Sequence, residues 1–291
     1  MKLISIILLI RVLCIGNSFS WDAVEQELVP LCDAKHIDVE VHNLYYGGCS
    51  LQQHAEFLLK DTAAYSHRVC VNWTMDSIVN QSLNRKSSNR QSRVIKDTIT
   101  LRQALCDGEY DFISLQQASH DSGIKASYEP WLSMLIDTVR AYQPNARLCW
   151  MQTWAYSRDA HHPAYILYQC NQQLMWDSIQ SCTKYVQEIL NDIKQPQTIS
   201  NDLKQPQTLI IPCGLAIQNA RKTKLGDTMC RDGYHLNYTY GRYTAACVWY
   251  EIITGLDVRR NPYRNPSMTS SQRRLSQRSA HRAVHPKKSS K

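Results

Sequence analysis

The sequence predicts an α/β fold, a three-layer α/β/α sandwich around a central parallel sheet. Three observations carry that expectation. Short apolar runs alternate with longer helical patterns along most of the chain. Its 291 residues suffice for one large α/β domain. Its 43% apolar content is ordinary for a globular core.

The first strand, Arg11–Ile15, is closed by Gly16-Asn17-Ser18, after which a helix is expected over Trp21–Asp33. A second strand, Ile37–Leu44, leads into the Gly47-Gly48 turn and a helix over Leu51–Tyr65. Arg68–Trp73 reads as a third strand. The polar, basic stretch Asn84–Arg93 that follows reads as a surface insertion. A helix over Ile99–Cys106 precedes a strand at Asp111–Leu115, and a helix over Trp131–Tyr142 precedes one at Arg147–Gln152. A long helix is expected over Ala164–Asn191. It is followed by a tandem repeat, Asn191–Thr198 recurring as Asn201–Thr208, whose prolines stop a helix. Thr208–Ile211 is the last strand and Tyr240–Thr254 the last helix. Right-handed crossovers gather the strand C-terminal ends on one edge, where sites form.

The net charge of +8 is unevenly distributed. Ten of the 33 Lys and Arg lie between Val258 and Lys291, where Asp and Glu are absent, so the body holds 23 basic against 25 acidic residues. The basicity is therefore no argument that residues 1–257 bind nucleic acid. The segment 258–291 is expected to be a disordered basic tail, solvated or in contact with RNA or another anionic surface.

The eleven cysteines form no C-x-x-C pair, so the usual zinc and thioredoxin spacings are absent. Those in apolar runs, such as Cys14, Cys149 and Cys247, read as buried free thiols. Lys2 and the apolar run Leu3–Ile10 read as a remnant of an export signal or as an N-terminal extension, too short to span a bilayer. No small-x-small cleavage site follows, so an exported and a cytoplasmic protein both stay open. Asn72, Asn80 and Asn237 begin N-x-S/T triplets, which matter only in a eukaryotic secretory route.

Two short motifs carry the chemistry. Gly16-Asn17-Ser18-Phe19-Ser20 places a serine on the turn between the first strand and the first helix. Alone it also fits a helix N-cap made by Asn17 or Ser18. Asp232-Gly233-Tyr234-His235 places an acid three residues before a histidine. On a turn, the Asp carboxylate can hold the His Nδ1 proton and leave Nε2 as a base, the orienting role a Ser-His-Asp system requires.

In this order, and on this alternation of elements, the two motifs resemble the SGNH (GDSL-type) hydrolases over roughly residues 11 to 255. The resemblance implies Ser18 as nucleophile, His235 as general base and acid, and Asp232 as the orienting acid. It implies an oxyanion hole from the Ser18 N–H, a second-block glycine, for which Gly48 is preferred, and a third-block amide. The chain departs from the family there: Gln116-Gln117 stands where an asparagine is usual, so Gln116 or Gln117 would take that place. Asn17 replaces the usual Asp of the first block. Trp154, beside the expected active edge, is a candidate substrate contact, with core packing as the alternative. His161, His162 and Asp159 lack a third ligand at convincing spacing, and no metal or cofactor is expected.

The function implied is a serine esterase acting on a short acyl ester, an acetyl group on a carbohydrate among the candidates. Two other readings remain open: an SGNH-fold binding module without turnover, and binding of an anionic partner through the tail.

Overall fold

The computed structural model describes residues 9–72, 93–192 and 209–286. Its strands are β1 (Ile10–Gly16), β2 (Val39–Tyr45), β3 (Tyr65–Val71), β4 (Arg93–Ile99), β5 (Phe112–Leu115), β6 (Arg147–Met151) and β7 (Leu209–Ile211). They form one seven-stranded sheet in the order β4-β3-β2-β1-β5-β6-β7. From β2 through β7 all neighbours are parallel, while β3 and β4 add an antiparallel edge.

Each strand of the parallel part is buried on both faces, as a sheet covered by helices requires. Val12 and Cys14 of β1 face one core, and Leu13 and Ile15 face the other. The first face carries α1 (Ser18–Val24), α2 (Leu28–Asp33), α7 (Cys213–Arg221), α8 (Tyr240–Thr254) and α9 (Ser270–Val284). The opposite face carries α3 (Leu51–Leu59), α4 (Leu101–Cys106) and α5 (Trp131–Tyr142). Helix α6 (Gln172–Asp192) packs its N-terminal half into the first core and its C-terminal half into the second. The α/β/α sandwich expected from the sequence is thus the architecture.

Several local expectations are corrected. The helix expected over Trp21–Asp33 begins at Ser18 and is broken between Val24 and Leu28. The strand expected at Arg68–Trp73 is antiparallel to β2, not parallel, and its partner β4 has no counterpart among the expected strands. The segment expected as one helix over Ala164–Asn191 opens as a 3-10 turn at Pro163–Tyr168. Gln169 and Cys170 then take left-handed φ of 54° and 51° before α6 begins. Residues 1–8, residues 73–92 with Asn80 and all but Arg93 of the polar insertion, and the repeat region 193–208 lie outside the described residues. Of the other N-x-S/T positions, Asn72 Nδ2 donates to Ile37 O at 2.8 Å and Asn237 Nδ2 to Thr228 O at 2.7 Å. Both amides are engaged in the fold.

The largest correction concerns the segment from Val258. Its composition predicts disorder, yet Val258–Arg260 form a 3-10 turn and Ser270–Val284 form α9, which packs on α7 and α8. Asn261 Nδ2 donates to Leu31 O at 2.8 Å, and Asn265 Nδ2 and Tyr263 OH reach the buried Glu27 carboxylate at 2.6 and 3.0 Å. Gln277 Nε2 donates to Tyr243 OH and Asn261 O, each at 3.0 Å. A capping box, Thr269 with Gln272, starts α9. Residues 287–291 lie outside the described residues. Among the described residues, no helix is long and apolar enough to cross a membrane.

Candidate active site

Ser18 stands at the C-terminal edge of the parallel sheet because β1 ends at Gly16 and α1 begins at Ser18. Asn17 makes that turn. Its Oδ1 accepts from Phe19 N at 3.0 Å, the N-cap predicted as an alternative use of the motif. The same side chain also donates from Nδ2 to Cys49 O at 2.9 Å. Asn17 therefore ties the serine turn to the loop that carries Gly47 and Gly48. Gly16 permits the close packing beneath: a Cβ there would lie 2.6 Å from Ser20 Oγ.

The distant motif folds over this turn. His235 Nε2 is 2.9 Å from Ser18 Oγ, and His235 Nδ1 is 2.7 Å from Asp232 Oδ2. Asp232 Oδ1 accepts from His235 N at 2.7 Å and Tyr234 N at 3.1 Å, so its carboxylate is fixed by its own turn. Partial burial pushes the Asp232 carboxyl up. Hydrogen bonds from the His235 ring and from the His235 and Tyr234 N–H groups outweigh this and hold it below the usual range. Gly233 has φ +91°, and a Cβ there would lie 2.8 Å from Ala160 Cα, so only glycine fits the turn.

The base turn is anchored by residues that the sequence reading missed. Asp22 lies one helical turn beyond Ser18 and is fully buried. It pairs with Arg231 at 3.1 Å and Arg242 at 2.6 Å, and accepts from Leu236 N at 2.7 Å. The available signal was the i, i+4 spacing of Ser18 and Asp22 with an arginine directly before Asp232. Beneath the imidazole, Phe19 approaches His235 edge-on with centroids 6.1 Å apart and stacks on Trp154 at 4.1 Å.

Gly48 lies in the exposed loop after β2 at φ +67°. A Cβ there would meet nothing within 4 Å, so backbone conformation and not space selects glycine. The two glutamines behave differently from each other. Gln117 is fully buried; its Nε2 donates to Ser127 O and Oγ at 3.1 and 3.0 Å, and its Oε1 accepts from Leu51 N at 2.9 Å. It staples α3 to the 118–127 loop and has no donor left for an oxyanion. Gln116 reaches the serine turn: one Nε2 hydrogen goes to Asn17 Oδ1 at 2.6 Å, and the amide has a second N–H to give. Trp154, a candidate substrate contact, is fully buried and donates from Nε1 to Tyr234 O at 2.7 Å. It supports the base turn and presents no surface to a ligand.

The exposed wall beside His235 is aromatic. Tyr234 lies 4.3 Å from the His235 ring and 4.9 Å from His162, which lies 6.2 Å from His120. His162 Nδ1 accepts from Ala164 N at 3.2 Å, a cap for the 3-10 turn. Burial, with His120 and His235 nearby, lowers the His162 pKa.

Fold and site together define a class: an α/β/α protein with a hydrogen-bonded Ser–His–Asp relay at the C-terminal edge of its sheet. The chain belongs to the DUF4886 family, described as a domain of unknown function, whose profile matches residues 11–283. A crystal structure of a DUF4886 family protein from Bacteroides uniformis is 37% identical. It superposes with a TM-score of 0.82, with 97% of each chain covered. A protein assigned to the SGNH hydrolases, from Slackia heliotrinireducens, is 17% identical with a TM-score of 0.49, covering 84% of this chain and 98% of that one. A carbohydrate esterase family 3 protein from Talaromyces cellulolyticus is 11% identical with a TM-score of 0.48, covering 85% and 99%. No curated protein matches the chain.

Proposed function

We propose that the protein is a serine esterase acting on a short-chain acyl ester, with an O-acetylated carbohydrate as the first substrate class to test. The observation that carries this reading is the continuous relay Ser18 Oγ–His235 Nε2–His235 Nδ1–Asp232 at 2.9 and 2.7 Å. The substrate class rests on the motif resemblance to SGNH hydrolases and not on the geometry.

In the proposed cycle His235 Nε2 takes the Ser18 proton as Oγ attacks the ester carbonyl. Asp232 keeps the imidazolium oriented through Nδ1. The backbone N–H groups of Ser18 and Gly48 and the second Nε2 hydrogen of Gln116 receive the oxyanion, while Gln117 holds the surrounding loops. His235 then gives its proton to the departing alcohol, leaving an acyl-serine. A water that loses its proton to Nε2 attacks the acyl carbon, and the acid leaves as Ser18 regains its proton.

Purified protein should hydrolyse a chromogenic acetate ester and be labelled at Ser18 by a fluorophosphonate. Wild-type labelling and turnover in Ser18→Ala would overturn the proposal. The engaged amide of Gln117 and the half-engaged amide of Gln116 favour a second reading, a binding module with a hole too weak for turnover. Binding of an acetylated oligosaccharide without any acyl-enzyme would select it.

A further inference from the structure

We propose that Glu251, His281 and His285 form a binding site for a divalent transition metal of the zinc class, clamping α9 onto α8. Glu251 lies in the last turn of α8 with its side chain 1% exposed. Its Oε1 accepts from Val258 N at 2.7 Å and stands 2.9 Å from His281 Nδ1. Its Oε2 is buried and makes no hydrogen bond among the described residues, although His285 Nε2 is 3.4 Å away. A buried carboxylate oxygen with no hydrogen bond is costly, and a cation held between it and His285 would satisfy both.

The geometry suits a metal better than an ion pair. One donor atom from each of the three residues lies within 4.8 Å of the others. Tetrahedral zinc with bonds of about 2.0–2.1 Å sets its donors roughly 3.3 Å apart. Glu251 meets both rings near that spacing, through different oxygens: Oε1 is 2.9 Å from His281 Nδ1 and Oε2 is 3.4 Å from His285 Nε2. Two imidazoles and one carboxylate make a zinc-type donor set. His281 and His285 are one helical turn apart, with ring centroids 4.6 Å apart, so both reach the same point. A Glu251–His281 pair alone would use neither Glu251 Oε2 nor His285. Asp257 adds a second carboxylate 3.5 Å from His281 Nδ1, and Arg259 is already paired with Asp257 at 2.7 Å. The His285 side chain is 60% exposed, which gives an entry path and leaves a coordination position to water.

The test uses the full chain without a histidine tag, stripped with chelator and titrated with Co²⁺. One equivalent should bind with the visible bands of a low-coordinate cobalt site, and Zn²⁺ should displace it and raise Tm. His285→Ala, at an exposed position, should keep the metal-free Tm and lose at least about tenfold in Co²⁺ affinity, the scale on which even an outer partner's loss is felt. Glu251→Gln should also abolish the bands. Absence of cobalt bands in the wild type, or wild-type affinity in His285→Ala, overturns the proposal. These readouts are independent of ester hydrolysis.

Discussion

Asp22 and Arg231 meet at 3.1 Å, joining the helix that begins at Ser18 to the residue before Asp232. The helix that begins at Ser18 therefore itself locates the turn that carries His235. Asp22→Ala would leave Arg242, whose side chain is 5% exposed, without the carboxylate it meets at 2.6 Å. The expected loss is about 3–5 kcal/mol of stability, as for other broken buried pairs. Urea denaturation measures it. In the fraction that remains folded, kcat should fall more than KM rises, because the imidazole loses its register with Ser18.

Asp232→Asn keeps an oxygen for the two backbone N–H groups but removes the charge that orients His235. The expected fall in kcat is on the order of 10⁴-fold, with little change in Tm. The Asp232 carboxyl is held below its ordinary pKa of 3.8, so it stays ionised above that pH. Any acid limb of kcat/KM above pH 3.8 should therefore owe nothing to Asp232. A pH profile checks this.

Gly48→Ala separates conformation from space. Left-handed backbone at φ +67° should cost roughly 1–2 kcal/mol with alanine, since nothing obstructs the Cβ. Gly226→Ala and Gly255→Ala, at φ +58° and +69° in equally open positions, should cost the same. Only Gly48→Ala should also lower kcat, by about 10²-fold if its N–H faces the oxyanion. Equal kcat in all three variants would remove Gly48 from the site.

Stability should fall on acidification through two buried histidines outside the Ser18–His235–Asp232 relay. Burial lowers His54 from 6.5 to about 3, and burial with His42 nearby lowers His67 to about 4. Below pH 6.5 the unfolded chain binds protons that the folded chain refuses. Each group therefore removes about 1.4 kcal/mol per pH unit as pH drops toward its folded value. Urea midpoints at pH 7 and pH 5 measure the slope, and His54→Phe should flatten it.

The catalytic candidates were legible because they sit in two short motifs whose order fixes their roles. The parallel core was legible from apolar runs such as Val12–Ile15, buried on both faces. Helix α9 was not legible, because its fully buried residues are Ser276, Gln277, Ser279, Ala280 and Ala283, and only Leu275 and Val284 add larger, half-buried apolar contacts. Its composition imitates a solvated tail. The missed clue lay in α8, buried nearly all round from Gly241 to Glu251, which requires a cover on its outer side. Gln117 was ambiguous for another reason: an amide can donate to an oxyanion or to a neighbouring loop, and spacing does not tell which. Trp154 was ambiguous in the same way, its indole N–H taken by Tyr234 O.

The hydrogen bond between His235 and Ser18 closes over 217 residues of chain. On a ribosome adding roughly 5–20 residues per second, the serine would emerge about ten to forty seconds before its base. The half-made protein would carry an unactivated hydroxyl and could not touch esters in its surroundings. Whatever chemistry depends on this pair would then begin only once the turn that carries His235 has been made.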